Sequence, residues 1–354
     1  MPAENISLSL LSIISLISFF VFLLISKYSN KIGNGILIDQ DFNKPQAFHS
    51  LSIPRSGGLA ASLSFLIFFI FYYLLFNEVN FEYVILTFAM FSMGFIEDVK
   101  LNFKPIYRLI LMIIILLIFT IYFSINITSI DLNFLNSWLK NDIFSIIFVL
   151  LCFLFIVNGS NLIDGFNGLL AIHILIINII LLFINLENKH ENLAIIIASQ
   201  IVILISFLLF NFPKAKIFLG DSGSYLFGSL VALNIIETNN LNPEISSFFF
   251  SILLFYLFFE VFFSFLRKIL SRKSPIKPDR YHLHMLSYLY LEHSQKFKDC
   301  NYLNSILINL TYLSLIVPAL FFKDNGAICR YWFFSLISIY IVFYYLLYSF
   351  EKKQ

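Results

Sequence analysis

Charge is what this chain has least of. Asp, Glu, Lys and Arg make up 12% of its 354 residues, against roughly 25% in a soluble domain. That density cannot cover a water-soluble surface of this size, and it leaves too few Lys and Arg for a nucleic-acid binder. Cysteine is equally sparse: Cys152, Cys300 and Cys329 stand far apart, with no metal-ligand or redox spacing. A disulfide scaffold is excluded, and the three read as buried or lipid-facing thiols. There is no internal repeat and no low-complexity linker. The apolar stretch from Ile6 to Ile25 lacks a basic lead and an Ala-x-Ala cleavage site, so it reads as a retained first helix. What remains is apolar: 59% of residues are hydrophobic and 45 are Phe. The class is a polytopic integral membrane protein, all-α because barrel strands would not give apolar runs of about twenty.

Apolar runs fall at 6–26, 58–76, 82–96, 106–127, 143–157, 167–186, 193–212, 222–237, 246–266, 302–322 and 331–349. These predict 11 transmembrane helices, or 10 if a short run fails, in one domain spanning 1–354. With eleven spans, 19 of the 23 Lys and Arg fall on one side; Lys140, Lys189, Lys323 and Arg330 face the other. The positive-inside rule then makes the basic side cytoplasmic, with the N-terminus periplasmic and the C-terminus cytoplasmic.

The polar residues gather on the loops 39–58, 94–108, 158–168, 213–224 and 267–301 of that basic side. Ile53-Pro54-Arg55-Ser56-Gly57-Gly58 opens the second helix; its glycines permit close backbone approach, its free N–H groups suit an anion, and Arg55 suits a phosphate. Glu97-Asp98 ends the third helix, where acids oppose the macrodipole; the pair suggests a metal or proton-transfer site. Asn158-Gly-Ser-Asn161-Leu-Ile-Asp164-Gly165-Phe166-Asn167-Gly168 holds more amide, carboxylate and glycine than a turn needs, and reads as a base or sugar contact. Phe218-Leu-Gly-Asp221-Ser222 places Asp221 at a loop–helix junction, as a cap or a magnesium ligand. Asp279-Arg280-Tyr281-His282-Leu283-His284 suits phosphate binding or a proton role better than zinc, because no further ligand is near. Among the other histidines only His49 stands close to a motif.

Only Glu260 lies inside an apolar run rather than at its edge. A mid-bilayer acid costs roughly 2.5–3.5 kcal/mol on insertion scales, and transporters place functional acids there. Acids kept at the rim, where a soluble anion can meet a lipid, point instead to an enzyme.

These five clusters, in this order, resemble the polyprenyl-phosphate N-acetylhexosamine-1-phosphate transferases (glycosyltransferase family 4), in the WecA/TagO-like branch related to MraY. The resemblance runs from about Asp39 to Leu286. It implies transfer of a sugar-1-phosphate from a UDP-sugar to undecaprenyl phosphate in the bacterial inner membrane, with release of UMP. The cofactor implied is Mg²⁺, with Mn²⁺ as the alternative. The product would start a cell-surface glycan such as O-antigen, teichoic acid or capsule, and a homodimer is a further expectation.

Residue by residue, Glu97-Asp98 stands where the family has an Asp pair linked to catalysis and lipid-phosphate deprotonation, which favours Asp98 as the better-placed acid. Asn161, Asp164 and Gly165 match the nucleotide-contacting signature, with Asn167 in place of a usual Asp. Phe218 matches a uracil-stacking aromatic and Asp221 the magnesium-binding Asp. His282 and His284, with Arg280, fit the WecA-like loop pattern, which points away from a muramoyl-pentapeptide substrate. A single in-line displacement and a route through an aspartyl intermediate both stay open, as do an MraY-like phospho-MurNAc-pentapeptide transferase, a transporter without chemistry and an inactive scaffold carrying Glu97 and Asn167.

Overall fold

The computed structural model describes residues 3–29, 31, 35–39, 52–100, 104–275, 277 and 279–353, with side chains from Ser7 onward. His49 lies outside the described residues. Fourteen helices carry the described chain. In order they are α1 (Ala3–Tyr28), α2 (Gly57–Phe76), α3 (Phe81–Asp98), α4 (Pro105–Tyr122), α5 (Asn133–Leu139), α6 (Asp142–Ile163) and α7 (Leu169–Glu187). There follow α8 (Glu191–Asn211), α9 (Gly220–Leu241), α10 (Ser247–Leu253), α11 (Phe255–Leu270), α12 (Leu283–His293), α13 (Cys300–Leu320) and α14 (Gly326–Glu351). Two two-residue strands, β1 (Ile38–Asp39) and β2 (Ile53–Pro54), pair antiparallel, with Asp39 opposite Ile53.

The protein is an all-α, multi-pass membrane protein. Among the described residues, eight helices are long and apolar enough to cross a bilayer, or nine if α10 and α11, bent by 72° at Leu254, form one broken span. The two remaining apolar runs lie on α3 and α9, which fall short of that test because they carry more charged or polar residues. The reason is position. α9 is buried over almost its whole length against α2, α3, α6 and α7, so its neighbours are side chains rather than lipid. Its Asn234 joins Asn178 of α7 and Gln200 of α8 in a closed amide triangle, with bonds of 2.7–3.2 Å. In a bilayer such amides have no water to turn to, and mutual bonding fixes which helices meet. Large apolar side chains such as Leu74, Ile118, Phe183 and Leu209 remain exposed, as a lipid-facing surface requires. The three cysteines are free; Cys300 and Cys329 are buried and Cys152 half-buried.

Candidate active site

The start of α2 is occupied by protein rather than open to an anion. Gly57 N–H donates to the Phe218 carbonyl (2.9 Å) and Gly58 N–H to that of Leu219 (2.8 Å), while Phe218 N–H donates to Pro54 (2.9 Å). A Cβ on Gly58 would fall 2.4 Å from the Gly223 nitrogen, so the glycine is there for contact with the 218–223 segment. The anion expectation at this helix start is therefore corrected. Arg55 is also engaged: its Nε and Nη2 donate to Asp39 Oδ2 at 3.0 and 2.7 Å. Burial works against its charge, but Asp221 and Asp39 outweigh that and hold the guanidinium firmly protonated. Its role in this structure is to close β1 and β2 onto the site's edge.

The acids converge where the end of α3 meets the start of α9. Gly94 makes the approach feasible, since a Cβ there would lie 2.3 Å from the Asp221 carbonyl oxygen. Gly220 turns into α9 with φ +77°, a left-handed conformation that a side chain would strain, and its Cβ would strike Asp98. Asp98 then caps α9 from outside: Oδ1 accepts from Asp221 N–H and Oδ2 from Ser222 N–H, both at 2.9 Å, and Ser222 Oγ donates to Oδ2 as well. A carboxylate at a helix N-terminus satisfies orphan donors and complements the dipole. Asp98 is 1% exposed, beyond the apolar run that ends at 96, and burial together with Asp221 pushes it up to about 7.

Asp221 is left partly exposed beside that cap. Its Oδ1 accepts from Asn161 Nδ2 (2.8 Å), and the same Nδ2 reaches Ser224 Oγ (3.1 Å). Arg108 Nη1 lies 3.6 Å from Asp221 Oδ2 and 3.5 Å from Glu97 Oε2. Arg108 and Ser222 were not singled out from sequence. The available signal for Arg108 was an arginine one turn into an apolar helix, just past Pro105.

The 158–168 segment splits in two. Asp164 ends α6 half-buried, with no hydrogen bond or ion pair to any described side chain; burial and then Asp221 push it up to about 8. Gly165 beside it has open space where a Cβ would stand. Asn167, by contrast, is used internally: Nδ2 donates to the Pro213 carbonyl (2.9 Å), and its N–H donates to Asn301 Oδ1 (2.8 Å). An Asp here would have no donor for that carbonyl, so the amide anchors the loop in this structure. Phe218 is half-buried, on the segment that docks on Gly57 and Gly58.

His282 and His284 are both buried. His282 is 1% exposed and sits between two acids, with Nδ1 3.1 Å from Glu260 Oε1 and Nε2 3.4 Å from Asp279 Oδ1. Glu260 Oε1 also accepts from Leu283 N–H (3.1 Å), and Oε2 accepts from Tyr340 Oη (2.7 Å). His284 is fully buried, its Nδ1 3.3 Å from Tyr256 Oη and its ring edge-on to Phe166 at 5.9 Å; burial pulls it down to about 4. Both imidazoles fill the junction of α11, α12 and α14; Glu260 and Asp279 engage the two His282 nitrogens, and His284 Nε2 has no hydrogen-bond partner among the described residues. Burial would raise Asp279, but His282 and Arg267, the latter 2.9 Å away, outweigh it and hold it low. Arg280 alone of this motif is exposed, with no hydrogen bond or ion pair to a described residue.

A family model described as glycosyl transferase family 4 matches residues 80–239, a stretch that includes Glu97, Asp98, Asn161, Asp164 and Asp221. The chain is 27% identical over 270 residues to an undecaprenyl-phosphate alpha-N-acetylglucosaminyl 1-phosphate transferase of Thermotoga maritima, covering 76% of this chain and 78% of that protein. It is 32% identical over 272 residues to a phospho-N-acetylmuramoyl-pentapeptide-transferase of Dictyoglomus thermophilum, covering 72% and 83%. Over a shorter stretch of 106 residues it is 36% identical to a protein of the same name from Clostridium perfringens, covering 30% and 33%.

Proposed function

The chain belongs to glycosyl transferase family 4, and on that premise we propose that it transfers an N-acetylhexosamine-1-phosphate, by default GlcNAc-1-phosphate, from a UDP-sugar to undecaprenyl phosphate, releasing UMP. The observation that carries this reading is the group of acids at the α3–α9 junction, with Asp221 partly exposed, Asp164 beside the open space at Gly165, and Arg108 between Glu97 and Asp221. We place this junction on the cytoplasmic face of the bacterial inner membrane, taking α3, α9 and the α10–α11 pair as spans to give eleven.

Among the described residues, no three His, Cys, Asp or Glu side chains form a metal cage. The partly exposed Asp221 carboxylate fits Mg²⁺, which binds through one or two carboxylates and completes its shell with water and phosphate oxygens. Asp221 would hold it. When bound, the ion would neutralise charge on the pyrophosphate and on the leaving UMP. The protein's own residues do the rest. Asn161 fixes one Asp221 oxygen, and Asp98 fixes the backbone that carries it. Arg108 balances the acids, and Arg280 supplies a free positive charge to a phosphate. Asp164 and Asn161 supply hydrogen-bonding groups to the nucleotide. A lipid phosphate with a second pKa near 6 is already largely ionised at neutral pH. Positioning two anions in line therefore contributes more than removing a proton.

The relatives named for phospho-N-acetylmuramoyl-pentapeptide transfer support a second reading, in which the sugar carries a peptide. One assay separates the readings. Purified protein with undecaprenyl phosphate and Mg²⁺ is offered UDP-GlcNAc, UDP-GalNAc and UDP-MurNAc-pentapeptide in turn, and UMP release and labelled lipid are measured. Turnover with a UDP-N-acetylhexosamine supports the first reading, and turnover with the pentapeptide alone supports the second. Binding without UMP release from any donor would leave a transporter and overturn both.

A further inference from the structure

The end of the bundle away from Asp98 and Asp221 holds a cavity of about 460 Å³ between the start of α3, the end of α9 and the α7–α8 turn. Glu82, Tyr83, Lys189, Glu191, Glu237 and Leu241 are among its lining residues. Glu82 and Glu237 are half-buried, yet neither carboxylate has a hydrogen bond or ion pair with a described residue. Tyr83 is 3% exposed, and its hydroxyl also finds no partner. Withdrawing charges from water without a counter-charge is costly. The walls hold three Glu against one Lys and one His, so the missing group is positive.

A metal is the weaker candidate: although His190 and Glu191 also line the cavity, no three His, Cys, Asp or Glu among the described residues are grouped to hold an ion. An ammonium asks for less: it is compact and has three N–H donors to place. Two carboxylates and a phenol oxygen match that number. Leu193, Ile196 and Leu241 add an apolar wall, suited to the carbon chain behind an amine.

We propose that this cavity binds a primary ammonium group, with Glu82 and Glu237 as its acceptors and Tyr83 as the third. The ammonium belongs to an aminophospholipid headgroup or to a free alkyl amine. Bound there, it draws α3 and α9 together at the end opposite to the one where they position Asp98 and Asp221. The inference does not depend on the transferase reading.

The test is thermal unfolding of the full chain in phosphatidylcholine nanodiscs, whose quaternary headgroup has no N–H. It is repeated in nanodiscs containing phosphatidylethanolamine, and in phosphatidylcholine nanodiscs with 1,4-diaminobutane or tetramethylammonium added. A Tm rise of about 2–4 °C with phosphatidylethanolamine, lost in the Glu82→Gln/Glu237→Gln double variant, assigns the site to the lipid. A rise with diaminobutane alone, lost in the same variant, assigns it to a free amine. Should the double variant fail to fold, Tyr83→Phe, which keeps the ring, must reduce the same rise. Equal Tm in all conditions, an equal rise with tetramethylammonium, or a rise retained in the variants overturns the proposal.

Discussion

Two charged clusters look alike in sequence and differ in how their charges are balanced. At the α3–α9 junction, Glu97 and Asp221 share Arg108, Asp98 accepts the first N–H groups of α9, and Arg55 lies near enough to feel Asp221. At the α11–α12 junction, Glu260 and Asp279 are matched by His282, Tyr340, Arg267 and a backbone N–H. In the first cluster Asp221 stays partly exposed and Asp164 has no hydrogen bond or ion pair with a described residue, which is what the proposed cation site needs. The second is closed, and it holds a loop in place. Residue type announced charge at both; only the census of partners separates a site from a fastener.

The largest test of that contrast is Asp221→Asn. The change is nearly isosteric, and Asn retains an oxygen for Asn161 to donate to. Tm should stay within about 1 °C, since a surface-type change of this kind costs within about 0.5 kcal/mol. Sugar-phosphate transfer should fall about 10³-fold, as when one electrostatic stabiliser is removed. Unchanged turnover in a discontinuous UMP-release assay would remove Asp221 from the site.

Asp98→Asn comes next and should behave differently. Both Asp98 oxygens accept backbone N–H groups, so an amide presents its NH₂ to one of them. The cap is weakened by about 1–2 kcal/mol, seen as a lower Tm, and turnover drops about 10–100-fold, as for groups that orient a ligand-holding residue. A large loss of turnover with unchanged Tm would return Asp98 to the role of a base that touches substrate.

How far these roles were legible beforehand follows from what a linear pattern can carry. Long apolar runs located all eight helices long and apolar enough to cross a bilayer, and they located α9 too, although Ser222, Ser224, Ser229 and Asn234 dilute its run. Glu97, Asp98, Asn161, Asp164 and Asp221 were found because acids and amides at helix ends are conspicuous against an apolar background. Their division of labour was not legible. Whether Asp98 points at substrate or at the α9 amides depends on a contact 123 residues away in sequence. The partners of His282 were hidden for the same reason: Glu260, which engages it, lies 22 residues earlier, and Tyr340, which engages Glu260, lies in the last helix. The short helices α5 and α12 carry no apolar run of spanning length, so they left no comparable mark.

Tyr340→Phe tests the closed cluster at its periphery. It deletes one donor to Glu260 and leaves His282 and the Leu283 N–H in place. Loss of one bond to a buried carboxylate should cost about 1–2 kcal/mol. Because the 279–284 segment carries Arg280, the expected kinetic signature is a KM for the UDP-sugar raised several-fold with kcat nearly unchanged. A fall in kcat alone would mean that this cluster does touch the reacting atoms.

The smallest effect is confined to acid. Burial lowers His284 to about 4, against 6.5 for a free imidazole. Between those values the unfolded chain takes up a proton that the folded chain refuses, so stability is complete above pH 6.5 and declines as pH falls toward 4. His284→Gln removes that proton uptake while keeping a polar side chain of similar reach. The Tm of the variant should therefore fall less than the parent's between pH 6.5 and 4.5, and the two should titrate in parallel above pH 7. Parallel curves over the whole range would mean that His284 is protonated in the folded protein, and that its cluster, like the one around Asp221, carries a charge still waiting for a partner.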